Sequence, residues 1–213
     1  GNRDLIWIRH YRDDHGLDAE IRLRTHDLAT LGLWGPKARQ VLGRLADEAA
    51  IADANFPFGA AREIELSLPG GMKVPVWALR ISYVGELGWE LYLDNDPLLG
   101  LPLFDALLEG GAIPVGIETY ATSRRLEKSF RVQGIDLETE YNAYESAMAR
   151  PAVKKQDFIG RDAYLEQRGQ SPEALLCTLS LDTQRVAGEI DRYPVGVAPI
   201  LDPASGETLV DAH

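Results

Sequence analysis

Glu86 and Glu90 stand four residues apart in SYVGELGWELYL, residues 82–93, inside an otherwise aromatic and apolar run. Two carboxylates this close could in principle share general acid and base work. A turn residue and a strand residue four apart need not share a face, however. After Gly88 the residues Trp89, Leu91 and Leu93 alternate, which leaves Glu90 and Tyr92 together on the opposite side of a strand. From there a carboxylate can accept two N–H donors of a flat, amidine-like heterocycle, an arrangement that rewards partial burial. The plainer alternative is that Glu90 points to water from the polar face of a hairpin. Arg124 and Arg125 are a second candidate pair. Neighbouring helical positions point about 100° apart, so at most one of the two enters a site, and surface ion pairing is the plainer account of both. Glu127 faces Arg124 at i−3 and does not face Arg125. Glycines 85 and 88 suit a turn.

Other chemistries lack their residues. The sequence contains no GxGxxG, P-loop, HExxH, GxSxG or CxxC pattern. The histidines at 10, 15, 26 and 213 have none of the usual ligand spacings, so a metal site is not expected. Cys177 is the single cysteine, which excludes an intrachain disulfide, and its apolar surroundings ALLCTLSL predict a buried thiol. A net charge of −11 over 213 residues argues against a nucleic-acid surface and fits a soluble cytoplasmic protein. With 45% apolar residues the chain can bury a real core. The sequence shows no signal-peptide pattern and no apolar run of membrane-spanning length, so no membrane partner is expected.

These residues need elements to position them. Residues 4–9 are expected as a short strand and 17–24 as helix or strand. LATLGL, 28–33, reads as an apolar strand before a Gly-Pro break. Ala38, Val41, Leu42, Leu45, Ala46 and Ala49 follow a 3.6-residue period, predicting an amphipathic helix over 37–50 with Pro36 at its start. Ile64, Leu66 and Leu68 alternate, PGG at 69–71 turns the chain, and Trp77, Leu79, Ile81 and Tyr83 alternate on one face. Pro97 opens a helix with Leu103, Phe104, Leu107 and Leu108 that Gly110 and Gly111 close. Residues 112–117 are a connection or strand, 118–131 a helix, and the stretch after them mostly loop. A short helix follows over 160–168, and the chain is expected to be β-rich from 174 on. The whole reads as an α+β fold, a mixed sheet with flanking helices, followed by the beginning of an all-β module, with a domain change near 150–172. Both ends read as cut, GNRDLIWIRH entering an apolar run at once and PASGETLVDAH ending in an uncompleted returning strand, so a fragment is expected.

Four stretches in order carry a resemblance. Arg80, Tyr83, Gly85, Glu86, Gly88, Trp89 and Glu90 match the R-x-G-Y-T-G-E-x-G-[FW]-E signature of the aminomethyltransferase family, the T-protein of glycine cleavage and its relatives. LGLWGPKARQVL (31–42), SRRLEKSFR (123–131) and DFIGRDAY (157–164) resemble further segments of that family. Trp34 of GLWGP and Lys128 of RLEK resemble the folate-binding halves of dimethylglycine and sarcosine dehydrogenases and related folate-dependent demethylases.

The resemblance implies an aminomethyltransferase-like folate-binding fold, present in part. Residues 1–50 would end the first folate-binding domain and 51–150 would form a central α+β domain. Residues 151–213 would be a linker and the start of a C-terminal β-barrel. It implies tetrahydrofolate as cofactor and transfer of a methyl or methylene unit from a small methylated amine or related donor, with a flavoprotein domain or partner in the larger protein. Glu90 would accept hydrogen bonds from the pterin amino group and ring N–H, Tyr83 would pack against or bond the cofactor, and Arg125 would contribute from its helix. Glu86 becomes chiefly a turn residue. The family's A-R-D triplet before that helix is Tyr120, Ala121 and Thr122 here, and its EAGL is replaced by Tyr144 to Met148. A non-catalytic folate-binding or regulatory homologue is therefore the alternative, and a purely structural domain a third. An aspartate that acts on the one-carbon unit is expected before residue 1, which implies that this stretch alone does not catalyse transfer.

Overall fold

The computed structural model describes residues 2–149, 153–180 and 199–211. The chain forms two compact units: residues 1–82 with 86–114, and residues 83–85 with 115–213.

The first unit opens with helix α1 (Asn2–Asp14), where a strand is expected over 4–9. The apolar triplet Ile6–Trp7–Ile8 lies on this helix, and Trp7, Tyr11 and His15 stack at four-residue spacing. Residues 17–24 form neither helix nor strand. Strand β1 (Leu28–Trp34) and helix α2 (Ala38–Leu42) follow. The helix is shorter than its apolar period predicts. It stops at Gly43, and a turn in which Asp47 accepts from the Ala49 amide occupies the rest of the stretch. The buried apolar side chains of 37–45 keep their expected positions, since Ala38, Val41, Leu42 and Leu45 all enter the core.

Strands β2 (Ala61–Ser67), β3 (Lys73–Leu79) and β4 (Gly88–Asp94) complete a sheet in the order β1-β4-β3-β2. Every ladder is antiparallel, which corrects the expectation of a mixed sheet. In β3 it is Val74, Val76 and Ala78 that are buried, whereas Trp77 is 55% exposed. The strand is fed by the turn at 69–71, and register with β2 sends the Trp77 set outward. Pro75 lies beyond the β3–β4 ladder, which joins only 77–79 to 90–92, so its missing N–H leaves that ladder intact. Helix α3 (Pro97–Glu109) begins as expected, with Asp96 accepting from the Leu98 amide at 2.9 Å as its cap. One face of the sheet, α2 and α3 enclose a single core that includes Leu42, Phe56, Leu66, Val76, Trp89, Leu91 and Leu103. The opposite face stays open.

The second unit contains a wide π-type turn over Thr119–Arg124 running into α4 (Arg125–Glu127) where a regular helix is expected, then α5 (Arg161–Arg168) as predicted. Arg124 pairs with Glu127 at 3.0 Å, as the i,i+3 spacing requires. Cys177 is exposed, not buried, because residues 174–180 form no strand and Leu175 and Leu179 are exposed with it. The expected strand RYPVGVAPIL lies largely outside the described residues. Its end forms β5 (Pro199–Leu201), paired with β6 (Thr208–Asp211) across the expected turn. No described helix is long and apolar enough to cross a membrane.

Candidate functional site

The open face of the sheet carries the chemistry. Alternation along β4 buries Trp89, Leu91 and Leu93 and turns Glu90 and Tyr92 to the other side, half-buried. The Tyr92 hydroxyl donates to Glu90 Oε2 at 2.6 Å, a charge-assisted bond that fixes the carboxylate. The hydrogen bonds of the described residues leave Oε1 unused. Gly32 of β1 is the direct partner of Glu90 on one side and Leu79 of β3 on the other. Trp34, on the same face as Gly32, donates its indole N–H to the Ile81 carbonyl at 3.2 Å. A single acceptor between apolar walls suits a planar ligand with paired N–H donors.

Behind Glu90 the core is braced electrostatically. Arg39 and Arg80 each place their guanidinium 5.8 Å from the centroid of the Trp89 ring, within cation–π range. Both pair with Asp53 at 2.5 Å, and Arg80 also donates to the Phe56 carbonyl. The hydrogen bond from Arg39, seconded by Arg80, holds the Asp53 carboxyl below its usual value near 3.8. Arg80 of the signature is thus a strut between the core tryptophan and the 53–56 loop.

Tyr83 and Arg125 belong to the second unit. The Tyr83 hydroxyl donates to the Arg131 carbonyl at 2.6 Å, and its ring lies 5.4 Å from Tyr120 and 6.0 Å from Phe130. Burial pushes the phenol above its ordinary range, against the opposing pull of Arg125. Arg125 is buried. It donates to the Ala121 and Phe130 carbonyls and to Asp136, which also accepts from the Val132 amide. Arg125 therefore ties residues 121–136 into one clasp. Gly85 has φ +70, and the Lys128 stem occupies the space a Cβ would need. Glu86 is exposed in the turn.

Of the sequence-derived residues, Tyr83 and Arg125 share a unit, and Glu90 stands in the other. Sequence reasoning did not assign Tyr92 or Trp34 a part in the site. The alternation that placed Tyr92 beside Glu90 was the available signal for the first. Gly32 two residues before Trp34 was the signal for the second. Among the described residues no group of three or more His, Cys, Asp or Glu could hold a metal ion.

Residues 1–156 match the family model of the GCVT N-terminal domain. The chain is 35% identical over 192 residues to mitochondrial dimethylglycine dehydrogenase of Homo sapiens, covering 87% of this chain and 21% of that protein. It is 31% identical over 186 residues to an aminomethyltransferase of Stenotrophomonas maltophilia, covering 86% and 48%. An aminomethyltransferase of Corynebacterium aurimucosum is 28% identical, covering 97% and 55%. The chain thus spans about a fifth of the length of the dehydrogenases and about half that of the aminomethyltransferases it matches.

Proposed function

Because this chain belongs to the GCVT family, the glycine cleavage T-protein superfamily, we propose that it binds tetrahydrofolate in a protein that transfers one-carbon units. The donor we assign is a small methylated amine, and the unit moved is a methyl or methylene group. One observation carries the reading: Glu90 presents a carboxylate, fixed by Tyr92, on an open sheet face flanked by Trp34 and Leu79. A carboxylate offers about four lone-pair positions, so one bond from Tyr92 leaves room for the pterin amino group and ring N–H together. The residues present fit such a group. Tetrahydrofolate, when bound, supplies the nucleophilic nitrogen that takes up the carbon.

In this reading Glu90 makes the direct contact. The polar groups of Tyr83 and Arg125 are already bonded within their own unit. What this chain contributes is orientation, and orientation supplies much of the rate when two reactants must meet in one geometry. Similarity to dimethylglycine dehydrogenases favours a setting in a larger protein, where a flavoprotein domain oxidises the amine and this part accepts the carbon. The β5–β6 ladder we read as the start of a further β module.

The test is titration of the protein with 5-formyltetrahydrofolate, a stable folate, and with tetrahydrofolate plus candidate amines, following methyl- or methylene-tetrahydrofolate by mass. Glu90→Gln is expected to weaken folate binding by about 1.5–3 kcal/mol, the worth of a hydrogen bond to a charged group. Unchanged affinity in that variant would remove Glu90 from the site. Binding without product would favour the non-catalytic homologue, for which Tyr120, Ala121 and Thr122 in place of the family's A-R-D triplet and the altered segment Tyr144 to Met148 are the supporting features.

A further inference from the structure

Among the described residues, Ser129 and Ala147 are the non-glycine residues in the left-handed region, with φ +58 and +55. A side chain there crowds its own backbone. Each of the two ends a turn. At Ser129 the chain leaves α4: the Ser129 amide donates to the Leu126 carbonyl and the Phe130 amide to the Arg125 carbonyl, both at 2.9 Å, a terminator that glycine usually supplies. Ala147 ends the turn that starts at Asn142, whose side chain accepts from the Tyr144 and Glu145 amides. Both turns aim a carbonyl at the same guanidinium. Arg131 donates from Nε to the carbonyl of the buried Ser146 at 3.2 Å, and from Nη1 to the Ser129 carbonyl. Its own carbonyl accepts from the Tyr83 hydroxyl at 2.6 Å. All these residues lie in the second unit, so Arg131 is held there through both its side chain and its backbone.

The group so fixed is a half-buried cation that forms no ion pair among the described residues, and its Nη2 donors make no bond there. The chain has 33 acidic residues against 22 basic ones, and the neighbouring Arg125 takes Asp136 as its partner. A partly buried charge without a partner carries a desolvation cost. Strained turns persist where the surrounding structure over-determines them, and ligand clamps are such places. Strain and unmet charge converge here on one side chain. We propose that Arg131 is a preorganised receptor for a carboxylate, its fork fixed by the turns at Ser129 and Ala147 and its outer edge left to the ligand. A planar fork matches a carboxylate in two parallel bonds, which a tetrahedral anion matches less well. A folate's glutamate end and an amino-acid amine both carry that group. The site does not rest on the reading of Glu90, which stands in the other unit.

Three probes test it by calorimetric titration: p-aminobenzoylglutamate, N-methylglycine, and inorganic phosphate as a tetrahedral control. At least one carboxylate is expected to bind more tightly than phosphate, and the one that binds names the source. Neither contains a pterin, so the result is independent of Glu90 and of any folate titration that fails there. Arg131→Met is expected to weaken the bound carboxylate about tenfold or more, the scale of a lost bond between charged groups. Arg131→Lys keeps the charge without the fork, and should recover only part of that loss. Ser129→Gly and Ala147→Gly relieve the left-handed strain. Each is expected to hold or raise the melting temperature while weakening the carboxylate, because the guanidinium is less firmly placed. A role in folding alone would move the melting temperature and leave binding by the folded variants unchanged. Circular dichroism identifies the variants that remain folded. The proposal is overturned if the folded parent binds neither carboxylate, if phosphate binds as tightly, or if folded Arg131→Lys binds like the parent.

Discussion

Residues of the same signature do different physical work. Gly85 satisfies a positive φ, Gly88 admits a neighbouring backbone and an indole, Trp89 fills the core, Arg80 braces it, and Glu90 faces the open side of the sheet with acceptor capacity left. Alternation made the last point legible in the sequence, because one face of β4 has to be apolar. The roles of Arg80 and Arg125 were not legible, since each depends on partners distant in the chain or on loop carbonyls. Arg125 gives the sharpest residue-scale prediction. Its side chain is 6% exposed and that of Asp136 is 17%, so removing one partner strands a buried charge. Arg125→Met should destabilise the fold by about 3–5 kcal/mol, read as a lowered denaturant midpoint. A folded variant with unchanged midpoint would mean that the Arg125–Asp136 pair adds nothing to stability.

Elements were legible where a period or a cap dictated them. Helix α3 has Asp96, Pro97 and a closing glycine pair; β4 has strict alternation; α5 has its acidic first turn and basic last turn. They were not legible where a local signal met a competing one. The apolar period of 37–50 was interrupted by Gly43, and β3 carries apolar residues on both faces, so its phase was set by register with β2 and not by its own pattern. The loop at 53–56 shows how such elements are joined electrostatically. Asp53 has its carboxyl held below its usual value by Arg39 and Arg80. A depressed carboxyl contributes stability above its unfolded value near 3.8, and loses that contribution as pH falls through the folded value. Asp53→Asn should therefore lower the melting temperature at neutral pH, and its curve should converge on that of the parent below about pH 4. A gap that stays constant down to pH 2.5 would mean the two arginines gain nothing from the charge.

At the scale of the whole molecule, charge sets a further expectation. The chain carries a net charge of −11, and the glutamate tail of a folate is anionic. Encounter is slowed by like-charge repulsion, which salt screens. Raising ionic strength from about 20 to 200 mM should speed association of 5-formyltetrahydrofolate in stopped-flow fluorescence; slower association would point instead to a local cationic entry. The α+β class was legible from the order of helices and strands. The division into two units was not, because Tyr83 joins its unit through a bond to a residue 48 positions away, and no local pattern announces such a partner. That feature has a genetic consequence. Residues 83–85 belong to the unit otherwise made from 115 onward, while Glu90, a few codons later, belongs to the other. A single crossover between genes can therefore never exchange one unit whole; a clean exchange needs breaks at 82/83, 85/86 and 114/115 together.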